Sequence, residues 1–192
     1  LNPMQRQGAM TTEGPLLLLA GAGSGKTTVL IQRVYNLLTY GRGSDSDEVP
    51  DWATEEDLAF LEQFPDRPDG DEVRRVHRLC AVDAPRPWEI VAITFTNKAA
   101  GELKERLAAR LGPAANDVWA STFHSACVRI LRRDIDRIGF DKDFTIYDTD
   151  DAKRVIKDIL KEQNLDEKTF PIRSVLSAIS ASKDRYEGPE VF

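Results

Sequence analysis

Long hydrophobic runs and cysteine are scarce in this sequence of 192 residues, and the chain has no net positive charge. No apolar run approaches the roughly 20 residues that a transmembrane helix needs, so we expect no membrane-spanning segment. The N-terminus shows no basic region followed by an apolar stretch, so we expect no secretory signal. The two cysteines, Cys80 and Cys127, are too few for a disulfide framework, which favours a reducing, cytoplasmic setting.

The net charge of −6 argues against nucleic-acid binding, because such proteins usually carry a basic surface. The acidity is unevenly distributed, however. Residues 41–87 hold 13 acidic and 6 basic side chains and five of the ten prolines, whereas the other 145 residues carry 20 basic and 19 acidic side chains. This composition predicts that residues 41–87, the acidic segment, are a mobile or disordered insertion. The alternative is a small ordered subdomain packed by Trp52, Leu58, Leu61 and Phe64.

Apolar patterning predicts an α/β layer in the first part of the chain. Residues 15–20 and 90–95 are buried-strand patterns, and residues 118–120 a shorter one. Helical spacing follows the first two, ending at Tyr40 and at Leu111, each before glycine. This alternation is typical of a parallel sheet. After residue 121 the spacing predicts helices only: one from Phe123, one capped by Asp148 and one beginning near Pro171.

A glycine-rich stretch, Ala20–Thr27, follows the predicted first strand and begins the predicted helix. This is the phosphate-binding loop (P-loop) pattern, with Ala20 in place of the usual first glycine. Small residues let backbone N–H groups close around phosphate oxygens, and the helix N-terminus adds partial positive charge. The pattern gives catalytic roles to Lys26, which reaches the β and γ phosphates, and to Thr27, whose hydroxyl binds Mg²⁺. ATP and Mg²⁺ are therefore the expected cofactors.

Two rival nucleotide patterns fail. The dinucleotide fingerprint requires glycine where Lys26 stands, and Asn97–Ala100 lacks the final aspartate that guanine recognition requires. The loop alone leaves open a phosphotransferase that acts on a small molecule. Outside the enzymes, the alternative is a nucleotide-gated DNA-binding or partner-binding module without catalysis.

Four motifs in order carry a resemblance to a known family: Leu1–Gln7, Ala20–Thr27, Ala92–Ala100 and Ser121–Ser125. They resemble the start of the superfamily 1 DNA helicases of the PcrA/UvrD/Rep type, and Val128–Arg137 is most similar to the PcrA branch. The resemblance implies an α/β P-loop NTPase core with a parallel sheet, incomplete here, at residues 1–121. A truncated helical subdomain would follow at residues 122–192.

The resemblance also implies site residues. Gln5 matches the glutamine that hydrogen-bonds adenine, although a polar residue in a frayed N-terminus is the alternative. Thr28 stands where many relatives carry arginine. The predicted nucleotide-binding residues are Gln5, Ala20, Gly21, Ala22, Gly23, Ser24, Gly25, Lys26, Thr27 and Thr28. The predicted single-stranded DNA motifs are Thr94, Phe95, Asn97 and Lys98, followed by Thr122, Phe123 and His124. Phe95 would stack on a base, with a core position as the alternative for it and for Phe123.

Two weaker patterns remain. His77 and Cys80, with His124 and Cys127, form a two-His, two-Cys set, but the pairs are far apart and we favour no zinc site. Asp148 follows an apolar run, as in a second nucleotide motif, but no acidic residue follows it directly, so we favour a helix N-cap.

The resemblance implies an ATP-dependent DNA helicase. Its ATP hydrolysis would drive translocation along single-stranded DNA and duplex unwinding in DNA repair or replication. Its partners would be single-stranded DNA and single/double-strand junctions, and no membrane. In this family the Asp-Glu pair that holds Mg²⁺, the transition-state arginines and the second motor domain lie downstream of the matching region. We therefore expect these 192 residues alone to be inactive.

Overall fold

Two short parallel strands organise the N-terminal part of the chain. In the computed structural model, which describes residues 1–21 and 23–191, β1 (Val91–Thr94) pairs with β2 (Trp119–Thr122). Helix α5 (Asn97–Leu111) connects them, and Gly112 follows its last residue with a positive φ. The register sets Thr94 opposite Thr122, so the carboxyl ends of both strands lie side by side. The mixed α/β fold with a parallel sheet is confirmed.

Helices α1 and α2 precede the acidic segment. Helix α1 (Pro3–Met10) starts at Asn2, whose side chain accepts a hydrogen bond from the Gln5 backbone N–H in a capping box. Helix α2 (Lys26–Tyr40) begins after the glycine-rich loop and ends at Gly41, as its apolar spacing predicts. A single hydrophobic core joins α2, α5 and both strands, and its buried members are Ile31, Val34, Ala92, Leu103, Leu107, Ala115, Val118 and Ala120.

The strand predicted at residues 15–20 is wrong for this structure. These residues are extended without regular secondary structure, and the side chains of Leu17 and Leu19 are 80% and 89% exposed. A strand forms only where a neighbour accepts its hydrogen bonds. Within residues 1–21 and 23–191, β1 and β2 pair only with each other. The apolar run therefore remains a segment that leads to the loop.

Two helices form within the acidic segment. Helix α3 (Glu55–Glu62) contains Leu58 and Leu61, and α4 (Gly70–Cys80), which was not predicted, follows it. Arg75 of α4 joins the two helices. Its guanidinium lies 2.7 Å from the Asp57 carboxylate and 4.3 Å from the centre of the Phe60 ring. The Thr54 backbone N–H, the Arg75 guanidinium and the Thr54 hydroxyl lower the pKa of Asp57 to about 2. Whether the segment is mobile stays a prediction.

The two ends of the acidic segment meet beside the end of α2. Gly41 forms an isolated parallel bridge with Val82, and the Arg42 guanidinium contacts Asp83 at 2.8 Å and Glu48 at 2.5 Å. Gly41 has a φ of +59°, and a Cβ there would lie 2.0 Å from the Val82 carbonyl oxygen. No other residue type fits this position without moving the chain. The two ends of the segment are therefore held together at Gly41 and Val82, a junction called the neck below.

The chain divides into two units, residues 1–131 and 132–192. Helix α6 (Phe123–Asp134) begins at the end of β2, and the second unit contains α7 (Thr149–Glu162) and α8 (Ile172–Asp184), which pack on each other. Asp148 caps α7 in a capping box with Asp151, as predicted. The domain boundary suggested at residue 121 stays a prediction. Among the described residues, no helix is long and apolar enough to cross a membrane.

Candidate functional site

The glycine-rich loop curls around the side chain at the start of α2. Lys26 Nζ donates to the carbonyl oxygens of Ala20 and Gly21 at 3.0 and 2.9 Å, and Ser24 Oγ donates to Gly21 at 2.7 Å. Gly25 is the N-cap of α2, with a φ of +84° and no side-chain cap. The first-turn N–H groups are therefore left for an anion, which is what a phosphate site requires.

The other described loop residues that were predicted to bind nucleotide are open to solvent. Gly23, Thr27 and Thr28 are exposed. Ala22, also predicted to bind nucleotide, lies outside the described residues. Thr27 follows Lys26 in the first turn of α2. The described part of the loop thus has the residue types and the helix start that hold a triphosphate and its Mg²⁺.

Gln5 lies against this loop instead of in a frayed terminus. Its Nε2 donates to the Ser24 carbonyl at 2.9 Å, while its Oε1 accepts from the Asn2 backbone N–H at 2.9 Å. A Cβ on Gly25 would lie 2.9 Å from Gln5 Nε2, so this contact also needs glycine. The capping box of α1 thereby sets the amide of Gln5 beside the loop. Its contact with adenine stays a prediction.

The two predicted DNA motifs meet through their aromatic side chains. Phe95 follows β1 and Phe123 follows β2, and their ring centres are 5.7 Å apart. The Phe95 side chain is 87% exposed and that of Phe123 is 50% exposed. The core position considered for Phe95 is therefore wrong in this structure. An exposed pair of rings at the end of a parallel sheet is a surface on which bases can stack.

Polar residues of the first motif flank Phe95 in the sequence. Thr94, which ends β1, is half-buried, while Asn97 and Lys98 are exposed in the first turn of α5. Thr96, which the sequence analysis did not single out, caps the helix: its hydroxyl accepts from the Ala99 N–H at 3.1 Å. An N-cap threonine before a helical pattern is a readable signal. It fixes the direction in which Asn97 and Lys98 leave the sheet.

The second motif divides into a buried and an exposed part. Thr122 is buried, and its hydroxyl lies 3.0 Å from Ser125 Oγ, so it positions the start of α6. His124 is exposed in the first turn of that helix. Direct contact of Thr122 with DNA stays a prediction, and Ser125 is the partner that sequence reasoning missed.

Both DNA motifs lie at one edge of the sheet. Helices α2 and α5 pack on each other and share one hydrophobic core with the strands, and Arg110 of α5 stacks on Tyr35 of α2 at 4.2 Å from the ring centre. Asn97 begins α5 shortly after Thr94 ends β1, so the first turn of α5 lies at the edge where both strands end. We call it the carboxyl edge, because β1 and β2 end there.

The acidic segment leaves from the opposite side of this layer. It begins where α2 ends and rejoins the chain before the start of β1. Helix α2 has 15 residues, which at 1.5 Å per residue separates the neck from Lys26 by about 20 Å. The excess negative charge therefore enters the fold far from the phosphate loop.

The zinc hypothesis gains no support from the geometry. His77 packs edge-on against Tyr40, with ring centres 5.2 Å apart, and Cys127 is exposed. Over residues 1–21 and 23–191, no three His, Cys, Asp or Glu side chains are grouped so that they could hold a metal ion.

Comparison with known proteins gives a consistent family. The sequence model of the UvrD/REP helicase N-terminal domain matches residues 1–48 and 73–191. Residues 49–72, which include α3, fall outside the match.

Named relatives agree with this match. The chain is 47% identical over 192 residues to the ATP-dependent DNA helicase PcrA of Bacillus subtilis (strain 168), covering 100% of the chain and 20% of that protein. PcrA of Staphylococcus aureus (strain Mu50) is 42% identical over 189 residues, and that of Staphylococcus epidermidis is 43% identical over 190, with 98% and 99% of this chain covered. The chain spans 20% of the length of these relatives.

Proposed function

The chain belongs to the UvrD/REP helicase N-terminal domain family, and on that premise we propose that it is the N-terminal part of an ATP-dependent DNA helicase. In the whole protein, ATP hydrolysis would drive translocation along single-stranded DNA and unwinding at single/double-strand junctions. The observation that carries the proposal is the exposed Phe95–Phe123 pair at the carboxyl edge. The same part of the chain also holds the glycine-rich loop that encloses Lys26.

The nucleotide half of the proposal rests on Lys26, Thr27 and the first turn of α2. The lysine ammonium sits inside the loop on two carbonyl oxygens, from which it can turn to the β and γ phosphates of ATP. Thr27 would ligate Mg²⁺ through the nucleotide, and Gln5 would meet the adenine. Phosphoryl transfer also needs positioned charge around the γ-phosphate. In the family this chain resembles, that charge comes from downstream residues, so we expect the 192 residues to bind ATP without turning it over.

The DNA half rests on the residues that frame the aromatic pair. Phe95 offers a stacking face, Asn97 and Lys98 offer an amide and a charge, and His124 lies beyond Phe123. Stacking and phosphate contacts do not read the bases, which suits a protein that moves along DNA of any sequence. This surface, from Phe95 to His124, is called the strand path below.

One experiment tests both halves. The purified chain is mixed with fluorescent oligo-dT of 16 nucleotides and with ATP–Mg²⁺, and anisotropy and ADP release are measured. We expect salt-sensitive binding of the DNA, because phosphate contacts release counterions, and no ADP release with or without DNA. A fluorescent ATP analogue should bind, and Lys26→Ala should abolish that binding while dT binding persists.

The rival functions predict different results. A small-molecule phosphotransferase would consume ATP in the presence of an acceptor and ignore oligo-dT. DNA-stimulated turnover that Lys26→Ala removes would show that the chain needs no downstream residues. If the chain binds no DNA at low salt, the strand path is not a DNA-binding surface.

A further inference from the structure

A cavity of about 490 Å³ opens beside β2, next to the strand path. Its walls come from β2 and the turn before it, from α6, from α5 and from the turn before β1. The lining residues that matter here are Trp88, Lys104, Trp119, Ser121, Ser125 and Arg129. The size lies within the range of ~300–1,000 Å³ that is typical of sites for small ligands. Neither the P-loop nor the strand path accounts for it.

Flat aromatic faces and positive charges alternate around this cavity. The Arg129 guanidinium lies 4.6 Å from the centre of the Trp119 ring, and that of Arg86 lies 5.4 Å from the centre of the Trp88 ring. Trp88 is 57% exposed, so more than half of its surface is open to a stacking partner. Lys104 adds a further cation. Aromatic faces with interleaved basic groups can bind a nucleotide unit, because its base stacks on an aromatic ring and its phosphate pairs with a basic side chain.

The acidic and hydroxyl groups of the cavity limit what it can bind. Asp117 is the single carboxylate among its lining residues, which include two cations, Lys104 and Arg129. The local balance therefore favours an anion. Ser125 Oγ is engaged with Thr122, and Ser121 Oγ donates to the Thr122 carbonyl at 3.3 Å. These serines tie the rim of the cavity to the second DNA motif.

The position of the cavity makes it continuous with the strand path. Ser121 and Ser125 flank Thr122, Phe123 and His124 in the sequence, and both line the cavity. A strand that lies on Phe95 and Phe123 would reach the cavity at Ser121 and Ser125, whereas Trp88 and Asp117 lie at its far end, before β1 and β2. The acidic segment ends directly before Trp88, so Lys104 and Arg129 are the groups that would attract a phosphate here.

We propose that this cavity is an additional subsite for one nucleotide unit of single-stranded DNA, next to the strand path. Its base stacks on the exposed ring of Trp88, and its phosphate lies between Lys104 and Arg129. The subsite rests on the proposed DNA-binding function and adds one stacking contact and one phosphate contact to it.

Two variants test the two contacts separately with the 192-residue chain and fluorescent oligo-dT of 16 nucleotides. Trp88→Ala should weaken binding about fivefold to 150-fold, the range of one base–aromatic stack, without changing the salt dependence. Lys104→Ala should weaken binding and also reduce the slope of log K against log salt by about 0.7, the value for one phosphate contact on a single strand. A general disturbance of the fold would not lower the affinity in both variants while changing the salt slope only in Lys104→Ala.

Matched controls lie in the acidic segment: Trp52→Ala and Arg74→Ala remove the same kinds of side chain and should leave dT binding unchanged. Thermal melts establish that each variant is folded. Competition with dTMP distinguishes a strand subsite from a site for free nucleotides, and we expect dTMP to compete only at concentrations far above those of the oligonucleotide.

The subsite is overturned if folded Trp88→Ala and Lys104→Ala both bind dT with wild-type affinity and salt slope. If Phe95→Ala still weakens binding in that case, the proposed function stands and only the subsite falls. If the chain binds no dT, or if dTMP displaces the oligonucleotide at equal nucleotide concentration, the cavity is not a subsite for a DNA strand.

Discussion

Replacing Phe95 by alanine should weaken the binding of single-stranded DNA and leave the fold nearly as stable as before. The reason is the position of the ring, which is 87% exposed and touches Phe123 at 5.7 Å between centres. A base–aromatic stack contributes ~1–3 kcal/mol. Its loss should therefore raise the Kd for oligo-dT about fivefold to 150-fold.

The effect on stability follows from the little surface that the ring buries. A fully buried aromatic side chain covers about 150–250 Å², so a ring this exposed covers on the order of 25 Å², worth about 0.6 kcal/mol. The contact with Phe123 adds about 0.5 kcal/mol. A total near 1 kcal/mol lowers the Tm of a protein of this size by about 2–4 °C.

Phe123→Ala provides the internal comparison. Its side chain is half-buried, so its removal uncovers about 100 Å² and should cost about 2.5 kcal/mol, or about 5–10 °C in Tm. Anisotropy with oligo-dT and thermal melts of both variants measure the two effects. If Phe95→Ala lowers the Tm as much as Phe123→Ala does and leaves the affinity per folded molecule unchanged, Phe95 is part of the core and the strand path is wrong.

Two further predictions concern the acidic segment. Replacing residues 49–72 by a short Gly-Ser link should change the affinity for oligo-dT less than twofold at physiological salt, because the Debye length of ~8 Å is shorter than the ~10 Å that β1 alone spans; a large increase in affinity would show that the segment faces the DNA. The second prediction is a loss of stability in acid. The pKa of Asp57 is lowered to about 2 by Thr54 and Arg75, below about 3.9 in the unfolded chain, so its stabilising contribution is complete above pH 4 and is lost as the pH falls from about 4 to 2. Urea unfolding across this range should show a shallower loss for Asp57→Asn than for the unchanged chain, whereas the exposed control Asp51→Asn should follow the unchanged chain.

Local signals predicted the helices of the fold well. Gly41 and Gly112 end α2 and α5 where the apolar spacing stops, and Asp148 begins α7 with its capping box. Each of these signals depends on residues within one turn of the helix end, which is why one sequence is enough to read them. Helix α4 carried the same information: Asp69 caps it, with Glu72 three residues later. The acid and proline content of the surrounding segment obscured that signal.

The strand predicted at residues 15–20 shows the limit of local patterns. An apolar run of five or six residues states that a segment prefers burial but not which neighbour will pair with it. Strands β1 and β2 are joined by a right-sized crossover helix and pair with each other, so for them the local pattern and the long-range partner agree. Leu17 and Leu19 carry an equally strong pattern and remain exposed.

The candidate site was predictable as residue types and not as an arrangement. The P-loop and both DNA motifs are contiguous in sequence, and their chemistry can be read directly. The contact between Phe95 and Phe123 depends on the register of two strands, and the exposure of Trp88 depends on how the turn before β1 is set. Both are consequences of tertiary structure, which explains why a core position for Phe95 stayed open from the sequence alone and why Trp88 was not singled out.

The length of α2 separates the acidic segment from the glycine-rich loop at the start of that helix. At the start of α2 the chain must hold Lys26 and Gln5 in fixed positions, and glycine is required there for close contact. At its end, the chain only has to return to β1. The Gly41–Val82 bridge and the ion pairs of Arg42 close the excursion at its neck. Because closing a longer loop costs only about 0.6 kcal/mol for each doubling in length, an insertion at this end changes little in the sheet. If the acidic segment were inserted at the carboxyl edge instead, its negative charge would lie beside the proposed strand path.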